Sequence, residues 1–214
     1  MYLPRQNEET RLEVLHALIR AHPLGAWVAL VGDEVVPNHI PFELDETRGE
    51  FGTLVGHVAR ANPIWRAPAT AVSSLVTFQG PQSYITPSWY PSKHNSGKAV
   101  PTWNYAVVHA GGTPSFIEDT AWLHSHVSKL TDRHEASMAL PWAVSDAPAD
   151  YVDKMIRSIV GVEIPIRRLI GKWKMGQNRT APDRLGAVAG LTAKGSAQAM
   201  GVADEMRKGL LTEL

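Results

Sequence analysis

The chain has 214 residues, of which 21 are basic and 21 acidic, so its formal net charge is zero. The absence of cysteine excludes disulfides, thiolate catalysis and cysteine-based metal sites, and the balanced charge does not favour a polyanion as the default partner. The longest apolar run, LGAWVALVG at 24–32, is about half the length of a membrane span, and MYLPRQNEETR does not have the pattern of a signal peptide. We therefore expect a protein of the cytoplasm.

The first half of the chain begins with one helix and continues with short strands. Leucines at helical spacing predict a helix over about 7–21, which His22 and Pro23 end. Seven short segments with strand-like patterns follow, separated by turn residues: GAWVALVG (25–32), VVPNHIPFELDE (35–46), GEFGTLVGHV (49–58), ATAVSSLVTFQG (69–80), QSYITPSWY (82–90), TWNYAVVHAGG (102–112) and TPSFIED (113–119). Strands of this length and spacing favour an antiparallel barrel or sandwich.

The second half is mainly helical in pattern. It predicts amphipathic helices at 119–137 and 148–159, one long strand at 160–176, and two further helices near 183–191 and 196–208. No repeat, low-complexity tract or linker separates these segments. We therefore expect a single domain over 1–214, with a helical C-terminal extension from about residue 180.

Polar and aromatic residues interrupt the predicted strands in clusters. These clusters lie at 37–44, 54–65, 80–94, 100–109 and 171–179. Several strands that carry such residues together favour a lined pocket. The alternative is that each Trp or Tyr fills the core and bonds locally through its polar end.

The segment LVGHVARANP has the composition of an anion site. A strand there leads into a turn or short helix that carries His57, Arg60 and Asn62. Backbone amides at a helix start, together with a guanidinium, bind phosphate well, because Arg matches its geometry. An equally simple interpretation is a capped helix with an exposed Arg.

Other kinds of chemical site have weaker support in the sequence. His124 and His126 lie two residues apart on a helical pattern, so they point in different directions and do not form a metal site. A serine hydrolase elbow, a G-x-G-x-x-G loop and a P-loop are all absent from the sequence. We therefore predict no metal, and no catalytic residue is identified.

Taken in order, the motifs resemble the PaiB family, described as FMN-binding negative transcriptional regulators. The resemblance covers nearly the whole chain through MYLPR, PNHIPFEL, GTLVGHVARANPIW, GPQSYITPSWYPSK, VPTWNYAVVHAGG, VSKLTDRHE and GKWKMGQNR. It implies an α+β, mainly β fold: an antiparallel split β-barrel like that of the pyridoxamine phosphate oxidases, with peripheral helices. It also implies a homodimer with FMN in a groove at the dimer interface.

The resemblance also implies which residues bind FMN. Backbone groups on one strand would follow the isoalloxazine edge, at His39, Ile40 and Pro41. The phosphate would lie at Gly56, His57, Arg60 and Asn62. A neighbouring strand would contribute Trp103 and Asn104, and the other subunit would contribute Lys172, Trp173, Lys174 and Gln177. Where some split-barrel oxidases have a Ser/Arg/Lys group at the phosphate, this chain has His57 and Arg60.

Two functions and one alternative without flavin agree with these residues. In the first, the chain is a flavin-binding regulator that acts on transcription directly or through a partner. In the second, it is a flavin-dependent oxidoreductase that acts on an unknown small molecule. DNA is a possible partner, although neither the balanced charge nor a helix-turn-helix motif supports it. In the third alternative the aromatic residues only pack, and the protein is colourless. The regulator is our first prediction, and whether the chain is an enzyme stays open.

Overall fold

A computed structural model describes residues 1–31, 33–66 and 72–211 of the chain. The chain divides into two compact units, and each is considered by itself. The first unit consists of Met1–His22, Phe78–Val108 and Ile170–Leu214, and the second of Pro23–Thr77 and His109–Leu169. The C-terminal helices belong to the first unit.

The described part of the chain contains nine strands. They are β1 (Glu8–Glu9), β2 (Leu24–Val31), β3 (Glu34–Pro41), β4 (Glu43–Asp45), β5 (Thr53–Ala59), β6 (Val72–Ile85), β7 (Thr102–Gly112), β8 (Ser115–Ile117) and β9 (Ile159–Lys174). Their order in the sheet is β3-β2-β6-β7-β9-β5-β4, and β1 and β8 also pair with β9. The pairings β2–β3, β2–β6, β4–β5 and β5–β9 are antiparallel.

The helices lie mainly at the start of the chain and after β8. They are α1 (Leu12–Ala21), α2 (Pro91–Ser96), α3 (Thr120–Glu135), α4 (Ala149–Ile156), α5 (Ala181–Lys194) and α6 (Ala197–Leu211). The side chain of Asp119 accepts a hydrogen bond from the backbone of Trp122 and so caps α3. Thr180 caps α5 in the same way. Among the described residues, no helix combines the length and the apolar character needed to cross a membrane.

The predicted helix at 7–21 begins later than its pattern suggested. Residues Arg5–Asn7 form a 3-10 turn, and Glu8 and Glu9 pair with Lys172 and Gly171 of β9. The backbone of these two glutamates is therefore used by the sheet, and α1 starts at Leu12, the first apolar residue of the helical pattern. The helix ends at Ala21, just before His22 and Pro23, as predicted.

Two predicted strands form one continuous strand in the structure. Residues 72–80 and 82–85 of the segments predicted at 69–80 and 82–90 merge into β6, which runs through Pro81, whereas Pro87–Trp89 form a 3-10 turn. Residues 69–71 and Gly32 of the predicted strands lie outside the described residues. Just after Pro81, the amide of Gln82 donates to the side chain of Gln198. The amide that follows the proline is therefore bonded to a side chain. The predicted strand at 35–46 is instead divided at Phe42, whose amide donates to Pro23.

The core of the second unit contains aromatic side chains between β-branched ones. Trp27 and Phe42 are fully buried and meet edge to face, with ring centroids 6.5 Å apart. The strands contribute Leu54 and Val58 of β5 and Val160 of β9. These residues alternate along the strands, so the faces that they share point into the core.

Helix α3 packs on β9 at a glycine. A Cβ atom built on Gly161 would lie 2.3 Å from the ring of Trp122, which is far inside van der Waals contact. The indole therefore lies against the backbone of β9. His126 lies one turn further along α3 on the same face as Trp122, and its ring stacks on that indole.

The core of the first unit lies between helices and the ends of the long strands. Leu15 and Ile19 of α1 are buried, and Leu18 packs where a Cβ at Gly80 would lie 2.8 Å from it. On the other side, α5 and α6 pack together through Leu191 and Met206.

We predict that Gly161→Ala destabilises the protein by about 1–3 kcal/mol, because the new methyl group displaces Trp122 and overpacks the site. The matched control is Gly111→Ala on β7, where a Cβ meets only ordinary contacts at 3.8 Å and beyond. Urea unfolding of both variants measures the difference. An equal loss of stability in the two variants would contradict the packing described here.

Candidate functional site

The first group of predicted site residues lies in the second unit, where β3 approaches β5. A Cβ on Gly56 would lie 3.2 Å from the carbonyl oxygen of Pro41 and 3.3 Å from the side chain of Ile40. His39 is exposed on the same strand, whereas Ile40 is buried. The structure therefore brings the two predicted segments together, and glycine permits the close approach.

Asn62 belongs to the same group and is fully engaged by its neighbours. Its Nδ2 donates to Oδ1 of Asn38 over 2.6 Å, and its Oδ1 accepts from the amide of Ile64 over 3.1 Å. The second bond holds the 3-10 turn Pro63–Arg66, as expected for the capped-helix alternative. Asn38 is more informative, because its Nδ2 is buried with no hydrogen-bond partner among the described residues.

Arg60 joins the end of β5 to the start of β9. Its Nε donates to the carbonyl oxygen of Arg157 over 2.8 Å and its Nη2 to that of Ile159 over 3.2 Å. Its Nη1 pairs with Glu118 at 2.5 Å. All three nitrogens are thus occupied, and a phosphate would have to displace Glu118 to receive the two-pronged contact that the sequence suggested.

His57 lies on the opposite face of β5 from Gly56, because side chains alternate along a strand. It faces α3, where its Nδ1 is 3.1 Å from Nε2 of His126. The ring of His126 stacks on Trp122, with centroids 5.3 Å apart and the planes at 23°. His57 therefore lies beneath α3, and the structure separates it from the groove at Gly56 where the resemblance had placed it.

Burial governs the charge of this histidine pair. It lowers the pKa of His57, and together with the charges of His57 and Lys129 it lowers the pKa of His126 to about 4. Both rings are thus neutral at pH 7, so one donates and the other accepts in the bond between them. His124, the other predicted member of the HSH pair, is exposed on α3.

The second group of predicted site residues lies in the first unit, at the ends of β7 and β9. The Nζ of Lys174 donates to the carbonyl oxygen of Trp103 over 2.6 Å and to the hydroxyl of Thr102. Asn104 is 1% exposed, and its Oδ1 has no hydrogen-bond partner among the described residues. Lys174 and Asn104 line a cavity of about 280 Å³ with Tyr90 and Arg179.

Positive charge collects at this cavity. Burial lowers the pKa of Lys174, and the neighbouring charges of Lys172 and Arg179 lower it further. The guanidinium of Arg179 lies over the ring of Tyr90, 4.9 Å from its centroid. Since no acidic side chain lines the cavity among the described residues, a bound group with negative charge is favoured there.

The other predicted residues of the second group are dispersed around it. Lys172 is buried, bonds to the carbonyl oxygen of Tyr2, and lies 5.4 Å from the ring centroid of Tyr105. Trp173 bonds to Glu205 on the opposite face of β9, and Gln177 donates to the carbonyl oxygen of Trp173. Trp103 is 48% exposed, so it stands outside the core that one alternative gave it.

Sequence reasoning missed three residues that the structure brings to these groups. Arg179 ends the GKWKMGQNR motif, and the run of basic residues in that motif was its available signal. Asn38 stands inside PNHIPFEL, and a polar residue on a strand beside prolines was its available signal. His126 was considered only as a metal ligand, and nothing in its helical pattern indicates a partner as distant in sequence as His57.

Comparison with known proteins identifies the family. A model described as "Putative FMN-binding domain" matches residues 1–168. The chain belongs to this FMN-binding family. Its relatives include the protease synthase and sporulation protein PAI 2 of Bacillus subtilis, 27% identical over the whole of both chains. They also include an uncharacterised protein of Emericella nidulans, 34% identical over 97% of each chain.

Solved structures show the fold of this FMN-binding protein. An FAD and heme binding protein of Mycobacterium smegmatis is 18% identical, with a TM-score of 0.59 over 89% of this chain and 80% of the other. The flavocytochrome Anf3 of Azotobacter vinelandii is 14% identical, with a TM-score of 0.56 over 85% and 74%. The predicted antiparallel split β-barrel, with α+β and mainly β content, is confirmed.

The residues present fit FMN, the family's cofactor. The edge of an isoalloxazine ring carries one N–H donor between carbonyl acceptors, so it needs an acceptor and several donors from the protein. The first unit supplies the unpartnered oxygen of Asn104 beside Lys174 and Arg179. Within the second unit, considered by itself, the unpartnered Nδ2 of Asn38 is a separate donor for a ligand. Buried polar groups without partners are costly, so each is a place where a bound ligand stabilises the protein.

We predict that the free energy of unfolding falls as the pH falls from about 6.5 to about 4. In that range the unfolded chain binds a proton at His126 that the folded chain, with a pKa of about 4, does not. The loss is on the order of 3 kcal/mol at its largest. Glu43 opposes it at the acid end, because burial raises the pKa of that carboxyl.

Urea unfolding across this range measures the effect, and His126→Gln should flatten the dependence. His124→Gln, an exposed change on the same helix, is the control and should keep the wild-type dependence. If His126→Gln leaves the slope unchanged, the neutral buried pair is not its source.

Proposed function

We propose that the protein is a homodimeric, FMN-dependent negative regulator of transcription that works in the cytoplasm. Membership of the FMN-binding family is established, and the regulatory role goes beyond it. The observation that carries the proposal is the cavity at Lys174, where a buried amide oxygen without a partner stands beside two cations. The full-length likeness to a Bacillus subtilis protein named for protease synthesis and sporulation supports the regulatory role.

In this proposal the polar edge of the flavin ring binds at the Lys174 cavity. The oxygen of Asn104 accepts from the ring N–H, while Lys174 and Arg179 donate to the flanking ring oxygen and nitrogen acceptors. Bound FMN supplies one- and two-electron redox chemistry. The two cations favour negative charge at this edge, so the protein binds the reduced, anionic flavin more tightly than the neutral one.

The groove between β3 and β5 is a separate candidate for contacts with the cofactor, considered within the second unit alone. The carbonyl oxygen of Pro41 and the side chain of Ile40 lie there beside Gly56, and Asn38 offers a free donor. Because the guanidinium of Arg60 is occupied, we propose that it holds this groove in shape and that Asn38 makes the direct contact. Its two bonds to carbonyl oxygens of the β9 segment fix the end of β5.

A homodimer is supported by an exposed aromatic face in the first unit. Tyr84 and Trp103 are 44% and 48% exposed and meet edge to face, with ring centroids 6.3 Å apart. Tyr2 and Val100 are more exposed still. Apolar patches of this kind mark interaction sites. The segment 171–177, expected at the interface, is mostly buried within the chain, with Gly171 packed against Leu15. We therefore propose that the aromatic face forms the contact.

The regulator we propose acts on transcription through a protein partner. Direct phosphate contacts usually need a basic face, whereas this chain has a net charge of zero. A band-shift assay at low salt tests this part of the proposal. Binding that weakens as salt rises would show direct DNA contact and overturn the role of a partner.

A flavin-dependent oxidoreductase is the second candidate function. The observation that favours it is the same pair of cations, since stabilising an anionic reduced flavin makes FMN easier to reduce. Anaerobic addition of NADH or NADPH to the FMN-loaded protein is the test. Rapid bleaching of the flavin with turnover on oxygen would favour the enzyme, and no reduction would leave the regulator.

We predict that Lys174→Gln weakens FMN and riboflavin equally, by about ten-fold or more, because the two ligands share the ring edge and a charged hydrogen bond is lost. Quenching of flavin fluorescence measures both affinities. Lys194→Gln, an exposed change on α5, is the control and should leave both unchanged. A loss confined to FMN would place the phosphate in this cavity and overturn the assignment of the ring.

We also predict that the purified protein has the mass of a dimer by light scattering at micromolar concentration. Trp103→Glu should shift it towards the monomer, because a charge then enters the aromatic face. Trp142→Glu is a control of matched chemistry and exposure in the second unit, at 47%, and should remain a dimer. A monomeric wild type would contradict the homodimer, and a dimeric Trp103→Glu would contradict its location.

A further inference from the structure

A second cavity lies in the second unit, beneath α3 and away from the groove at Gly56. This α3 cleft has a volume of about 510 Å³, within the usual range for small-molecule sites. Its lining includes three apolar side chains and three polar ones: Leu44, Val55, Trp122, Glu43, His126 and Lys129. It is unrelated to the proposed flavin site.

Polar groups in the α3 cleft lack the partners that their burial calls for. His126 is 4% exposed, and its Nδ1 has no hydrogen-bond partner among the described residues. The nearest carboxylate oxygen, Oε2 of Glu43, is 3.9 Å away, too far for a hydrogen bond. The other oxygen of Glu43 is 4.0 Å from Arg133. A polar ligand atom between these groups would satisfy them together.

The remaining charges of the cleft divide into a satisfied set and an unsatisfied pair. Arg48 holds Glu163 through two hydrogen bonds and Asp45 through a third, so these three charges satisfy one another. Within the described part of the chain, Glu43 accepts no hydrogen bond and Lys129 donates none. Glu43 on β4 therefore faces the cleft from one wall, and Lys129 and Arg133 on α3 face it from the other, with Arg133 4.0 Å from Glu43.

Because Glu43 is partly buried, the protonation of its carboxyl depends on the charge of what occupies the cleft. Burial raises the pKa of the carboxyl, and the positive charges of Arg133, Lys129 and His134 only partly oppose it. A cationic group bound beside Glu43 would favour its ionised form. An anionic group is favoured at the other wall, where Lys129 follows His126 by three residues on the same face of α3.

We propose that the α3 cleft binds a small zwitterion of the α-amino acid class with an apolar side chain. The ligand ammonium donates to Glu43 and to Nδ1 of His126, its carboxylate pairs with Lys129, and its side chain packs on Leu44, Val55 and Trp122. A ligand with both charges matches Glu43, whose ion pairs with His126 and Arg133 are long, and Lys129, which has no ion pair among the described residues. A plain acid leaves the partly buried Glu43 and Nδ1 of His126 without a donor, and a plain amine makes no ion pair with Lys129.

Isothermal titration calorimetry on the full chain tests the proposal with three probes of similar shape. L-Leucine carries both charges, 3-methylbutan-1-amine lacks the carboxylate, and 4-methylpentanoic acid lacks the ammonium. We expect leucine to bind about ten-fold or more tightly than either analogue. Equal affinity for all three, or no heat with leucine at millimolar concentration, would overturn the proposal.

Variants assign each end of the ligand. Glu43→Gln should weaken leucine and the amine about ten-fold while sparing the acid, and Lys129→Ala should weaken leucine and the acid while sparing the amine. The matched controls are Asp132→Asn on α3 and Lys154→Ala on α4, both exposed and outside the cleft. Leucine affinity that survives both cleft variants would contradict the assignment. Flavin fluorescence on the same samples shows whether FMN binding is retained independently.

Discussion

The ammonium group of Lys174, held against the end of β7, is the interaction on which the proposed flavin site depends. It donates hydrogen bonds from the end of β9 to the carbonyl oxygen of Trp103 and the hydroxyl of Thr102, and these bonds position the neighbouring Asn104. Holding a cation there is costly, since burial and two neighbouring positive charges all oppose it. A protein accepts such a cost where a ligand compensates for it, and the free amide oxygen beside it shows which ligand chemistry fits.

The second unit uses buried polar groups in a different way. There Arg48 and Arg60 are paired, and the polar atoms that are buried without a partner include two on neutral groups, the amide of Asn38 and the ring of His126. Alternation along β5 separates these two, because Gly56 faces β3 while His57 faces α3. One strand therefore divides a groove suited to the flavin from a cleft suited to a smaller, doubly charged molecule.

Much of the fold follows from the local sequence pattern. Apolar alternation predicts β2 and β7, and helical spacing with Asp119 as a cap predicts α3, because each depends on neighbours in the chain. The continuity of β6 was not predictable in this way, since Pro81 is a strong break signal and the amide that follows it bonds to Gln198, a residue more than a hundred positions later. The late start of α1 likewise depends on pairing with β9.

The sequence indicated which segments belong to the candidate site, but not how their side chains are arranged in space. Asn104 and Lys174 stand in segments that the resemblance to the PaiB family selected, and the structure brings them to one cavity. Arg60 is a residue type that often binds phosphate. In the structure it bonds instead to Glu118 and to two carbonyl oxygens at or just before the start of β9, which are distant from it in the sequence. The partner of a charged side chain is a tertiary property, and no local pattern encodes it.

The absorbance difference spectrum of the purified protein titrated with FMN tests the central claim most directly. Binding in a cavity with two cations and a buried amide should shift and sharpen the flavin bands, and the change should saturate at one FMN per chain. A spectrum that stays that of free FMN at every ratio would contradict the account.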